Sequence, residues 1–298
     1  MPRRGSAMNQ VRALLIAQLE SCLAGLREHG ARDSTVHAVR KELKQARAIL
    51  RLLRKCLGRD GYRRYNLALR DAARPLGAVR DAKAVMSAFA SVRSAEDSGG
   101  ERTFGLCVSR ALHRDWRESR NRLQAADGAY RSVEEVRRRV GRVSARDLDR
   151  TSAGSGVAKV YKAGQRAYAE ARRRPTDERL HELRKQAKYL FNQIDSLSRA
   201  ADIRPFPRLS RGRFKAIRKQ SDRLSGCLGE DHDLSVLQRR MGQISSAEGL
   251  SLDSPSVKPW MKRILERRSA LQEEARALGK RLYSRRAADL RAKIDSER

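Results

Sequence analysis

A chain of 298 residues that is 40% apolar can bury a sizeable core, which sets it apart from disordered tails. Its 67 Lys and Arg against 35 Asp and Glu leave a formal charge of +32, so a compact body repels itself unless a polyanion meets it: nucleic acid, an acidic membrane surface or a phosphate polymer. Aromatic residues at 5% weigh against base stacking, and Cys22, Cys56, Cys107 and Cys227 form no CxxC pair, so zinc ribbons and redox motifs find no support.

The basic start, Met1-Pro2-Arg3-Arg4-Gly5-Ser6, leads into an amphipathic segment. No run approaches the ~18 apolar residues a membrane span needs, and a reducing, cytoplasmic setting is expected. A first helix is predicted from about Met8 to Glu28, burying Val11, Leu15, Leu19 and Cys22, with His29-Gly30 as its stop. Asp33 or Ser34 caps a second helix that runs to about Leu57, before Gly58. A third starts near Tyr62 and breaks or kinks at Pro75 and Gly77, which puts Leu76-Gly77-Ala78-Val79-Arg80-Asp81 at a helix junction. Two more helices are expected over about 101–126 and 129–143, and Ser152-Ala153-Gly154-Ser155-Gly156 reads as a linker.

Beyond the linker the pattern recurs. A helix is predicted from Val157 to Arg173, and Pro175-Thr176-Asp177-Glu178 opens the next with a cap and an acidic first turn. Residues 201–212, with Pro205 and Pro207, read as a loop, followed by a helix from Arg213 to Leu228. Gly229-Glu230-Asp231-His232-Asp233 forms a second junction, and a final helix covers Trp260 to Tyr283. No stretch alternates as a strand does, so the fold class is all-α.

The second helix carries the most informative pattern. Offsets of three, four and seven residues share one helical face, so His37, Arg40, Lys41 and Lys44 point the same way, and Arg47 and Arg51 continue the stripe. Val39, Leu43, Ala46, Leu50 and Leu53 form an opposite, apolar face. Like charges at such spacings cost helix stability, so a uniform stripe calls for an explanation. The stripe has an echo at His181, Arg184, Lys185 and Lys188. His37 and His181 stand 144 residues apart and Asp81 and Asp233 stand 152 apart; the difference of eight fits inside the proline-containing loop. Two halves, 1–150 and 151–298, each of about four helices, are expected to face each other about a pseudo-twofold axis, with a basic cavity between them.

His-x-x-Arg-Lys-x-x-Lys in both halves, each followed by Leu-Gly-x-x-x-Asp, resembles the CHAD family of conserved-histidine α-helical domains, from about Met8 to Tyr283. The resemblance implies two four-helix bundles with internal symmetry, a basic channel between them and non-enzymatic binding of inorganic polyphosphate, with no catalytic residue, metal or cofactor. It implies His37, Arg40, Lys41, Lys44 and Arg47 as ligand contacts in the first half and His181, Arg184, Lys185 and Lys188 in the second; Arg51, Arg80 and Lys215 complete the expected set. Phe191 stands in the place of Arg47 and Asp195 in that of Arg51, so the first half is expected to carry more of the affinity. Such domains often sit beside or within CYTH-type triphosphatases. No Glu-x-Glu-x-Lys signature is present, so a stand-alone CHAD protein is expected, with such a triphosphatase or granule proteins as functional neighbours and polyphosphate granules as a location.

A polyphosphate carries about one charge per unit and no bases, so rows of Arg and Lys without a stacking surface suit it. His37 and His181 are each expected to add a proton-dependent contact near pH 6.5. The alternative is a basic nucleic-acid- or ribosome-associated protein, and nucleic acid at low salt is a partner under either reading. That alternative predicts cations spread over an outer surface. Asp81 and Asp233 read as helix caps or as partners that orient Arg80 and nearby lysines. Asp231-His232-Asp233 admits a metal-dependent phosphohydrolase, for which the remaining histidines are too few.

Overall fold

A computed structural model describes residues 7–27, 33–123, 128–149, 152–201 and 212–295. They form eleven helices and no strand. The first six are α1 (Ala7–Arg27), α2 (Asp33–Leu52), α3 (Arg54–Ser91), α4 (Gly99–Leu123), α5 (Gly128–Gly141) and α6 (Ala145–Asp149). The remainder are α7 (Ala153–Arg173), α8 (Asp177–Ala201), α9 (Gly212–Ala247), α10 (Lys258–Leu282) and α11 (Ala287–Asp295). In sequence order α1 packs on α2, α2 on α3 and α3 on α4; α7 packs on α8, α8 on α9 and α9 on α10. The two sets meet where α2 lies against α8 and α3 against α9.

The apolar face of α2 explains its depth in the molecule. Val39, Leu43, Ala46 and Leu50 are all buried, as is Leu53 just past the helix end, and each of the larger side chains removed from water contributes about 1.5–3 kcal/mol. The same spacing on α8 buries Leu183, Ala187, Leu190, Ile194 and Leu197. Across the seam the buried Gln193 amide donates to the Ala48 carbonyl at 3.2 Å, and the Arg51 guanidinium lies 3.8 Å from the centre of the Tyr189 ring. At the far side Arg240 of α9 makes two hydrogen bonds of 2.8 Å to Asp115 of α4.

Several expected boundaries move, for identifiable reasons. The second helix ends at Leu52 rather than Leu57, and the bend at Gly58, with φ 68° and ψ 174°, falls inside α3, a conformation that side chains resist. Pro75 does not break α3. A proline inside a helix costs about 3 kcal/mol, and the buried Ala72, Leu76 and Val79 on the flanking turns offset it. Leu76–Asp81 therefore lies in mid-helix, and so does Gly229–Asp233 within α9. Asp231 turns away from its neighbours to α10, where it accepts from Arg268 and Gln272, each at 3.0 Å. The expected stop at His29-Gly30, the capping side chains of Asp33 and Ser34, most of the loop 201–212 and Ser296–Arg298 lie outside the described residues.

The expected linker is the start of α7. Ser152 is its N-cap, accepting from the Ser155 amide at 3.0 Å. Gly156 meets α2 so closely that a Cβ there would stand 2.8 Å from Leu52 Cδ2 and 3.2 Å from Leu52 Cα. Gly156→Val should lower stability by about 1–3 kcal/mol. Gly242→Ala in α9, where nothing lies within 4 Å of the new methyl, should raise it by about 0.5–1 kcal/mol. Urea titration of both variants checks the pair; equal effects would contradict the close helix contact.

Candidate functional site

Four helices, α2, α3, α8 and α9, enclose a cavity of about 1080 Å³. From α2 come Arg40, Lys41, Lys44 and Arg47; from α8 come His181, Arg184, Lys185 and Lys188. The two basic stripes thus face one hollow. From α3 and α9 come Arg80, Lys83 and His232, together with the carboxylates of Asp81, Glu230 and Asp233. Among the described residues nine Lys and Arg side chains line the hollow against three carboxylates.

The Leu-Gly-x-x-x-Asp segments have a packing role here. Arg40 lies across Gly77, where a Cβ would come within 3.8 Å of its Nε and Nη2, and its Nη2 donates to Asp81 Oδ1 at 3.1 Å, one turn further along α3. Arg184 lies across Gly229 in the same way, where a Cβ would stand 3.2 Å from its Nε and Nη2. Glycine leaves room for the flat guanidinium to rest on the neighbouring helix backbone. Asp81 and Asp233 are not helix caps, since both stand in helix interiors. Asp81 also accepts from Arg80 at 3.2 Å, and Arg80 reaches Asp233 of the other half at 3.6 Å.

Gathering these cations has an electrostatic cost. Burial lowers Arg40 and Arg184 below the ordinary guanidinium value, with Asp81 and Asp233 respectively acting against the shift. Lys44 is pushed down to about 7, first by burial and then by the charges of Arg40, Arg184 and Arg80. His181 and His232, with ring centroids 5.1 Å apart, are both lowered by burial, then His181 by His232 and His232 by Arg184. His181 thus titrates below its expected value near pH 6.5.

Of the expected contacts, Arg40, Lys41, Lys44, Arg47, Arg80, His181, Arg184, Lys185 and Lys188 come together in the cavity. Arg47 is steadied by Asn66 Oδ1, 3.1 Å from its Nε. Arg51 does not line the hollow: it keeps the stripe's side of the helix but stands about 21 Å along the axis from His37, and it covers Tyr189 instead. Lys215 is exposed near the start of α9, ten residues before the first cavity residue of that helix, and is also outside it. The side chain of His37 lies outside the described residues. Lys83 and His232 were absent from the expected set. Lys83 follows Arg80 by three residues, and His232 stands 152 residues after Arg80, the separation of Asp81 and Asp233, so both had a sequence signal. Asp195 is buried and paired with Arg218 at 2.8 Å, away from the hollow, so the second half lacks a counterpart of Arg51.

A family model described as CHAD domain matches residues 13–209. The chain belongs to the CHAD family. The matched span contains both His-x-x-Arg-Lys-x-x-Lys helices and ends before Leu228–Asp233. The fold is shared over a longer stretch: a solved structure of PptA from Streptomyces chartreusis aligns with a TM-score of 0.68 at 13% sequence identity, covering 93% of this chain and 99% of that one. No curated protein matches the sequence. Among the described residues of this CHAD chain no three His, Cys, Asp or Glu side chains gather as a metal site would require, and no helix is long and apolar enough to cross a membrane.

Lys44 makes the electrostatic cost measurable. Its ordinary value is 10.5, so below pH 7 the folded chain carries a charge its surroundings disfavour. As pH rises from about 7 towards 10.5 the folded state sheds that proton while the unfolded chain keeps it, and the penalty fades. Lys44→Met should therefore raise the thermal midpoint more at about pH 6 than at about pH 9. An equal rise at both values would contradict the assignment.

Proposed function

We propose that the cavity binds inorganic polyphosphate and leaves it chemically unchanged. The supporting observation is convergence: cations from three helices, α2, α3 and α8, far apart in the sequence, line one hollow, where a flexible chain of phosphates can lie against several at once. Arginine offers paired N–H donors to non-bridging oxygens and lysine a mobile point charge, and the cavity mixes the two. Its aromatic side chains do not present free stacking platforms, because Tyr189 carries Arg51 on one face and Phe191 carries Lys188 at 4.3 Å. Small and polar residues fill much of the rest of the wall, including Ala84, Ser87, Asn192, Ser225 and Gly226.

A nucleic-acid duplex is stiff and carries its phosphates on a wide outer surface, whereas a flexible single phosphate chain can follow a hollow lined from several helices. Retention on polyphosphate granules would follow from the same binding. Affinity should come largely from displaced counterions, so log affinity should fall linearly and steeply with log salt. A direct test titrates the full chain with long-chain polyphosphate in the presence of duplex DNA. Polyphosphate should win at moderate salt, and equal preference for DNA would overturn the reading. Arg40→Gln with Arg184→Gln should weaken polyphosphate binding by about a hundredfold with helical content unchanged, since each removes a charge-assisted contact.

A further inference from the structure

The cavity already contains anions of its own. Asp81 Oδ1 accepts from Arg40 of α2 and from Arg80 of α3, at 3.1 and 3.2 Å, and the same Arg80 nitrogen stands 3.6 Å from Asp233 Oδ1 of α9. Arg40, Asp81, Arg80 and Asp233 thus form a row of alternating charge that crosses from one half to the other. Two further cavity cations are held from the rim: Lys188 by Asp222 at 3.2 Å and Lys185 by Glu182. Part of the donor set an incoming phosphate would use is thus engaged before it arrives.

We propose that Asp81 and Asp233 are resident competitors that set the threshold a ligand must pass, an inference that rests on the polyphosphate reading above. A carboxylate tethered beside its arginine acts at a high effective concentration, so a lone phosphate gains little by taking its place. A polymer that also meets Lys41, Lys44, Arg47 and Lys83 in the same event recovers the loss. The two carboxylates differ in freedom. Asp81 is 59% exposed and can swing into solvent once a ligand takes Arg40 and Arg80, whereas Asp233, 17% exposed, stays in the wall and repels. A purely positioning role, in which Asp81 only aims Arg40, makes the opposite prediction for its removal.

Asp81→Asn keeps an oxygen for Arg40 and removes the charge. Measured on the full chain, it should bind tripolyphosphate about fivefold tighter, because one partly exposed repulsion is removed. Its log-affinity against log-salt slope should steepen by about one counterion, since one cation is no longer neutralised internally. Asp233→Asn should move both quantities in the same direction, and it carries the test if circular dichroism shows that the first variant loses its fold. Weaker binding in the folded variants with an unchanged salt slope would overturn the proposal in favour of positioning. Wild-type chain that fails to bind long-chain polyphosphate would instead overturn the functional reading itself.

Discussion

Mutual repulsion among the cavity cations is the constraint the whole structure has to meet. Nine Lys and Arg side chains facing one hollow would push α2, α3 and α8 apart if nothing held the helices from behind. What holds them is the apolar side of the same helices. Leu43, Ala46 and Leu50 on α2, and Ala187, Leu190 and Ile194 on α8, are fully out of water. The division of each helix into a buried and a charged face is therefore both the source of the fold and the source of the site. Asp81 and Asp233 relieve part of the remaining strain from inside, and the lowered proton affinity of Lys44 is the part left over.

This division was legible in the sequence because it obeys helical periodicity. The stripe at Arg40, Lys41 and Lys44 and its counterpart at Arg184, Lys185 and Lys188 needed only an offset count, and the all-α class needed only the absence of alternation. The segments around Gly77 and Gly229 were misplaced for a complementary reason. Proline and glycine rules describe a helix in isolation, and here buried neighbours carry α3 and α9 straight through. What looked like broken helix ends are seats for Arg40 and Arg184, and a seat is visible only once the second helix is in place. Gly156 is the same lesson at the supposed linker, since its small size serves a contact with Leu52 that lies more than a hundred residues earlier. Lys215 shows the converse error: a cation on a helix that contributes to the cavity, but far from it along the axis.

The comparison with PptA from Streptomyces chartreusis places this balance in context. At 13% identity over nearly the full length of both chains, little of the sequence is shared, while the fold persists. At the seam α2 packs on α8 and α3 on α9, so helices distant in the sequence bring their charged residues to one hollow. The two stripes are unequal, since Phe191 stands ten residues after His181, as Arg47 does after His37, and Lys188 covers it.

The central claim is that the ligand lies in the hollow rather than over the outer surface. Lysine acetylation footprinting by mass spectrometry, with and without long-chain polyphosphate, addresses it residue by residue. The account predicts protection of Lys41, Lys44 and Lys83 from one half together with Lys185 and Lys188 from the other, while the outward-facing Lys215, Lys258 and Lys262 keep their reactivity. Protection spread evenly over all of these, or confined to the outer three, would contradict it.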